Sequence, residues 1–313
     1  MLLYIFRRII LGIITIFVTV TIVFFALRFI PGDPAEVWLG DYATPELIEL
    51  TRIKWNLDKP IWWQYTRYMK NIMRGDLGDS LRMKLPVFKL LIRHYPFTLR
   101  LVFLGTSLAI LIAIPAGVAA AVRQNSLTDM FVMMLSFFFI SMPLFWLGLI
   151  LLFVFSFRLD WFPSIGNEEG GNFYTYFLHL ALPSICLGLV QAGLISRMVR
   201  STMIDILTKD YINVIRSKGL SEYVILFKHA LRNALASIVS LIGVSFVLSL
   251  AGIVVLEMVF SRPGLGRLYV TAIAERDYPL IQGCILVIAS GVVLVNLLVD
   301  ISYGMIDPRI RHE

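Results

Sequence analysis

The sequence predicts an all-α membrane protein with six transmembrane helices. Of its 313 residues, 58% are hydrophobic and 16% are charged, whereas soluble domains average roughly 45–50% apolar and about 25% charged residues. The mean hydropathy is +0.80, and the apolar residues are concentrated in runs of the ~20 residues that a bilayer crossing requires. The six runs cover approximately residues 9–30, 101–122, 130–157, 177–196, 234–256 and 279–299.

Each run is expected to be a helix, because backbone groups in lipid must form their hydrogen bonds within the segment. The first run follows Arg7 and Arg8. It is longer than the ~7–15 apolar residues of a signal peptide, and no small-x-small cleavage site follows it. We therefore expect it to be retained as a membrane helix. Prolines inside the later runs are expected to kink or loosen their helices; they are Pro115, Pro143 and Pro183.

The distribution of basic residues favours a topology with both termini in the cytoplasm. In that orientation twelve Lys and Arg lie in inner segments and four in the two short outer loops, as the positive-inside rule describes. Eleven more lie in the long outer segment 31–100, but loops above ~60 residues are translocated largely regardless of charge. The aromatic residues of this segment predict a small packed cap or an interfacial belt; they include Trp38, Trp55, Trp62, Trp63, Tyr65 and Tyr68.

Several other classes of protein are disfavoured. The net charge of +7 does not indicate a nucleic-acid partner, because no basic patch is interleaved with exposed aromatic residues in a soluble domain. The two cysteines lack C-x-x-C spacing, and the four histidines form no H-E-x-x-H. We therefore expect no metal site and no catalytic residue of an intramembrane enzyme. A secondary transporter is disfavoured because the helices show no internal repeat and almost no mid-span charge.

The inner loop 197–232 has the pattern of two short helices joined by a glycine turn. Asp210 is predicted to cap a helix over residues 211–218. Gly219 follows, at the position where helices commonly end in a left-handed residue. Ser221 is then the predicted cap of the second helix.

The first of these helices carries an apolar stripe with a basic end. The spacing i, i+3, i+4 and i+7 places Tyr211, Val214, Ile215 and Lys218 on one face. Arg216 and Lys218 occupy the last turn, where the helix dipole favours cations. Such a helix either lies on anionic lipid headgroups or docks into a groove on a soluble partner. The residue pattern alone leaves both readings open.

The same loop resembles the cytoplasmic loop of ABC importer permeases. Residues 210–221 read DYINVIRSKGLS, with Leu220 directly after the glycine, and residues 229–234 read HALRNA. The peptide/nickel subgroup has D-Y-x-x-x-A-R-A-K-G-L followed by H-A-x-R-N-A. Val214 and Ile215 stand where the wider family has alanines. Leu231-Arg232 stands where it has a leucine–proline pair, a difference usual for the peptide subgroup.

Further motifs extend this resemblance over nearly the whole chain. They are PGDP at 31–34, GDLG at 75–78 with Ser80 and Pro86-Val87, FSRPGLGR at 260–267, RDYP at 276–279, and NLLVD at 296–300 with Asp307-Pro308-Arg309.

The resemblance implies a type I ABC importer permease core of five helices in residues 97–304. Residues 1–96, an N-terminal helix and an extracytoplasmic segment, would be the addition typical of the peptide subgroup, and residues 305–313 a cytoplasmic tail. The implied function is the permease subunit of an ATP-driven importer, forming half of the translocation pathway in a bacterial or archaeal plasma (inner) membrane. Its cargo would be di- or oligopeptides, with nickel chelates or glutathione as alternatives.

The resemblance also implies partners: a second homologous permease, two ABC ATPase subunits, an extracytoplasmic substrate-binding protein and membrane lipid. The helix–turn–helix would couple the permease to the ATPases. The chain has no G-x-x-x-x-G-K-[ST] motif, so it cannot bind ATP in the P-loop manner by itself. We therefore expect no cofactor on this chain, with ATP and Mg in the ATPase subunits.

The last outer loop is a candidate entrance for substrate. Gly264 and Gly266 form only a fragment of a phosphate loop, because no Lys-Ser/Thr follows them. They are expected to be turn residues of a loop that lines the entrance. This loop comprises Pro263, Gly264, Leu265, Gly266 and Arg267.

Polar residues inside the spans are functional candidates by default. They are Gln191, Asn296 and Asp300. Asn296 and Asp300 are four residues apart, on one face of the last helix. Hydrogen bonding to a neighbouring helix or to the paired permease is favoured over contact with substrate.

Overall fold

The computed structural model describes residues 2–164 and 173–306, and every regular element in these ranges is helical. The motif Asp307-Pro308-Arg309 and the rest of the predicted tail, including Arg311, lie outside the described residues. The α-helices are α1 Leu2–Phe29, α2 Pro34–Leu39, α3 Pro45–Lys54, α4 Ile61–Met73, α5 Val87–Val122, α6 Leu127–Ser141, α7 Leu144–Leu151, α8 Phe173–Leu207, α9 Asp210–Ser217, α10 Glu222–Val224, α11 Leu231–Val259, α12 Leu265–Ala274 and α13 Tyr278–Ile306. A 3-10 turn follows α2, and π-helical turns Leu152–Arg158 and Ile225–Ala230 follow α7 and α10.

The predicted all-helical membrane fold is confirmed. Five helical stretches in the described part of the chain are long and apolar enough to cross a membrane: Ile5–Phe29, Val87–Val122, Tyr174–Leu207, Glu222–Val259 and Tyr278–Ser302. The pair formed by α6 and α7 makes a sixth crossing if it is counted as one bent span.

The third span is broken at Pro143, one of the prolines that were expected to kink or loosen their helices. Helix α6 ends at Ser141, and the helical segment Leu144–Arg158 that follows is bent by 102° relative to it. Met142 is extended, with φ −77° and ψ 129°, and Pro143 caps the next helix. Proline forces the preceding residue out of the helical region and has no N–H to donate, so it accounts for the break. Pro183, in contrast, stays inside α8.

The chain divides into two compact units. The first consists of the described parts of residues 1–9, 98–262 and 294–313. Its core lies where α5, α8 and α11 pack through small and branched residues. A Cβ on Gly117 would lie 2.6 Å from the Ser196 carbonyl oxygen, and one on Gly193 would lie 2.7 Å from the Ser136 carbonyl oxygen. These helices therefore approach at backbone distance, as is common where membrane helices pack through small residues.

The second unit consists of residues 10–97 and 263–293. Its core joins the C-terminal end of α1 to the first turns of α5, α12 and α13. Helix α4 packs on α1 through aromatic rings: Tyr68 stacks on Phe24 at 5.4 Å, and the Tyr65 hydroxyl lies 2.9 Å from that of Thr21. Trp62, from the same helix, stays 70% exposed.

Candidate functional site

The predicted helix–turn–helix is present. Helix α9 starts and ends one residue earlier than predicted. The prediction that Asp210 caps it is wrong, because the extended residue before the helix is Lys209, with φ −73° and ψ 144°. Asp210 occupies the first turn instead, where its carboxylate still interacts favourably with the helix dipole.

Gly219 has the predicted left-handed conformation, with φ +79°. Its N–H donates to the Arg216 carbonyl at 3.0 Å, which closes the end of α9. A Cβ at this position would meet no heavy atom within 4 Å. The glycine is therefore required by its backbone conformation rather than by lack of space.

A charged pair clamps the two short helices across the glycine turn. Arg216 donates from Nε and Nη2 to the two carboxylate oxygens of Glu222, at 2.6 and 3.3 Å. This hydrogen bonding raises the pKa of Arg216 above its usual value and lowers the pKa of Glu222 below its usual value. Ser221 stands at the predicted cap position with extended backbone, but its side chain forms no capping hydrogen bond. The glycine conformation therefore closes the turn, and the exposed ion pair adds only a small stabilisation.

The helix–turn–helix has both buried and exposed apolar side chains. Ile212 and Ile225 are fully buried and anchor the motif to its own unit. The Tyr211 hydroxyl accepts a 2.9 Å hydrogen bond from Asn233 Nδ2. Five large side chains of the motif are exposed, and we call them the apolar knob. They are Tyr211, Val214, Leu220, Tyr223 and Phe227.

The residue spacing predicted only part of this knob. The predicted stripe contained Tyr211 and Val214, whereas Ile215 is half-buried and Lys218 caps the helix. Tyr223 and Phe227 were missed, although their i, i+4 spacing is the signal that could have found them. Their rings lie 4.6 Å apart. Several exposed large apolar side chains on one short motif are typical of a surface that binds a partner.

The predicted entrance loop is shorter than expected. Pro263 and Gly264 are outside the helix, and α12 begins at Leu265. Gly266 therefore lies in a helix, and its interpretation as a turn residue is wrong. Gly264 caps α12 in extended conformation, and Leu265 is buried, while Arg267 is exposed. The Pro263 carbonyl lies 2.8 Å from His94 Nδ1.

The structure also brings together two motifs that are far apart in sequence. Asp277 is fully buried, and its Oδ2 accepts from the Ser80 hydroxyl at 2.5 Å and from the Arg82 N–H at 3.3 Å. Its Oδ1 accepts from the Leu280 N–H at 3.2 Å, which caps α13. The GDLG segment is thereby fastened to the start of the last membrane helix, and we call this arrangement the Ser80–Asp277 latch. Both motifs are visible in the sequence, but their spacing does not predict the bond between them.

The three intramembrane polar residues do not form one site. Gln191 Nε2 donates to Ser249 Oγ at 2.5 Å, linking α8 to α11. Asp300 lies 3.1 Å from Arg8 Nε. Asn296 is exposed. Gln191 and Asp300 thus contact neighbouring helices, whereas the Asn296 side chain is exposed on the surface of its helix.

The sequence and the fold are similar to those of known transport proteins. The family model described as "binding-protein-dependent transport system inner membrane component" matches residues 113–312, and the N-terminal model of that membrane component matches residues 1–102. The chain is 39% identical to the di/tripeptide transport system permease DppB of Pseudomonas aeruginosa and 38% identical to the dipeptide permease DppB of Escherichia coli K12, over all of both chains. A chain of the inward-facing MetNI methionine ABC transporter matches with a TM-score of 0.55 and 20% identity, over 70% of this chain and 97% of that one. That last likeness shows the fold alone.

Proposed function

The chain belongs to the family of inner-membrane components of binding-protein-dependent transport systems, and we propose that it is the permease subunit of an ATP-driven importer of dipeptides and tripeptides. The substrate is inferred from relatives named for dipeptide and di/tripeptide transport that match the chain over its full length. Nickel chelates and glutathione remain the alternative cargoes of the same fold.

The observation that carries this proposal is the apolar knob. Five large apolar side chains are exposed on a short helix pair, and their burial needs a groove on another protein. One ATPase of the importer would bind the knob of this chain, and the other ATPase would bind the corresponding knob of the second permease. Because the buried Ile212 and Ile225 anchor the motif, movement of the knob would be transmitted to α8 and α11 rather than absorbed by the loop.

The mechanism that follows is alternating access. Closure of two ATPase subunits on ATP and Mg would draw the two knobs together and open the permease pair toward the outside. An extracytoplasmic binding protein would then release its peptide into the pathway. In this arrangement the termini and the knob face the cytoplasm, and the segment from Pro31 to Pro86 faces outward.

Transport by the reconstituted complex tests this function. In vesicles that contain both permeases, the ATPases and the binding protein, radiolabelled Ala-Ala should accumulate only with ATP. Excess unlabelled dipeptide should abolish the uptake, and glutathione or nickel–histidine should not. The purified chain alone should hydrolyse no ATP, because it lacks a nucleotide loop. Uptake that follows glutathione or nickel instead of dipeptide would reassign the cargo, and hydrolysis by the isolated chain would contradict the permease role.

Cysteine labelling tests the orientation. Trp63 and Ser217 both have exposed side chains, and the native Cys186 and Cys284 are buried, which keeps the background low. In intact cells, an impermeant maleimide should modify a Trp63→Cys variant and spare Ser217→Cys until the membrane is permeabilised. The reverse pattern of labelling would show that the proposed topology is inverted.

A further inference from the structure

A groove of about 800 Å³ opens between the start of α6 and the end of α8. It lies within the first unit, at the end of the bent span that begins with α6. Its walls combine polar groups at the helix ends with apolar side chains further along α6. The lining residues that matter below are Asn125, Asp129, Met130, Phe137, Arg197 and Arg200.

The acidic group of this groove is already neutralised. Asp129 is 4% exposed, and Arg200 donates to both of its carboxylate oxygens, with Nη2 to Oδ2 at 2.6 Å. The same carboxylate accepts from the Asn125 N–H at 2.9 Å. This bidentate geometry fixes Arg200 and leaves Asp129 with no charge to offer a ligand.

Arg197 supplies a second cation, and this one is available. Its side chain is exposed, and its guanidinium lies 5.7 Å from the centre of the Phe137 ring. Within residues 2–164 and 173–306 it forms no salt bridge. A guanidinium held on an aromatic face keeps its N–H donors free for a planar or tetrahedral oxyanion.

The apolar wall continues from the charged end toward the middle of the span. Met130 is 64% exposed and Phe137 is 52% exposed, and Met133 lies between them in the lining. These residues occupy successive turns of α6. The groove therefore presents a positive group beside an apolar channel, which is the complement of an anionic amphiphile rather than of a peptide.

We propose that this groove binds an anionic phospholipid. The lipid phosphate accepts from Arg197, and one acyl chain lies along Met130, Met133 and Phe137. Basic pockets between membrane helices are known to take anionic headgroups. The assignment rests on the groove and its charges, and it is independent of which cargo the importer carries.

Lipid retention tests the site. The full chain, purified from nanodiscs of phosphatidylcholine with phosphatidylglycerol, should keep phosphatidylglycerol in native mass spectra. The Arg197→Gln variant should keep about fivefold less, from roughly 1 kcal/mol for one cation near a headgroup. Arg158→Gln is the matched control, because Arg158 lies over the Phe153 ring at 5.4 Å outside this groove. It should retain phosphatidylglycerol like the unchanged chain.

Four results would overturn the lipid site. Equal loss in both variants, or equal retention of phosphatidylcholine, would show general membrane solvation. Displacement of the lipid by 20 mM inorganic phosphate would assign the groove to a free anion. Loss of the second permease from the complex in Arg197→Gln, with lipid binding unchanged, would assign the groove to the interface between permeases.

Discussion

Gly219→Val is expected to uncouple transport while leaving the membrane spans inserted. Gly219 has φ +79°, where a β-carbon costs about 1–2 kcal/mol and a branched one restricts the side chain further. An eight-residue helix such as α9 is too short to hold its geometry alone. The strain would therefore re-aim α9 against α10 and displace Val214 and Leu220 from their partner. Since 1.4 kcal/mol is tenfold in an equilibrium constant, uptake should fall by about tenfold, with weaker co-purification of the ATPases.

Two other variants separate coupling from strain. Gly75 has φ +76° and, like Gly219, would place a Cβ with no atom within 4 Å. Gly75→Val therefore imposes similar strain away from the knob, and ATPase co-purification should stay normal. Gly219→Asn should retain most of the transport, because Asn adopts the left-handed conformation more readily. Normal uptake and normal ATPase binding in Gly219→Val would show that this turn does not couple the permease to the ATPases.

The features that were predicted correctly depend on neighbours in the sequence. The left-handed conformation of Gly219 was predicted from the short amphipathic run before it, which ends in basic residues. The run and the glycine lie within ten positions of each other. The cap of α9 was misplaced by one residue, because Asp210 is the better capping residue type but the extended backbone lies at Lys209. Likewise Pro143 was expected to disturb its span, but the size of the bend, 102°, could not be predicted from the proline alone.

The features that were missed depend on contacts between distant parts of the chain. Ile212 is fully buried beside exposed Tyr211, and helical periodicity alone does not tell which face of α9 meets the protein. The Ser80–Asp277 latch joins residues 197 positions apart. The nearby Gly264 suggested that Gly266 is a turn residue. In the structure α12 begins at the buried Leu265 and includes Gly266.

Asp277→Asn is expected to release the outer segment from α13 while keeping the helix capped. Asparagine still accepts from the Leu280 N–H, since it is as good a cap as aspartate. Its amide nitrogen cannot accept from the Ser80 hydroxyl or the Arg82 N–H, which both donate to Oδ2. A buried donor without its charged acceptor costs about 1–3 kcal/mol, so the segment should open at least fivefold more often. Transport should fall because the segment no longer braces the start of α13.

Limited proteolysis measures this opening directly. Arg82 and Lys84 are exposed trypsin sites beside the latch, so cleavage after them in the detergent-solubilised chain should accelerate relative to cleavage after Arg158. Ser80→Ala should give a smaller effect, because the Arg82 N–H keeps its acceptor. The double variant should add little to Asp277→Asn, since both changes break one network. Asp160→Asn removes an exposed carboxylate and serves as the control. An unchanged rate of cleavage in Asp277→Asn would mean that the buried carboxylate caps α13 and does nothing to hold the outer segment.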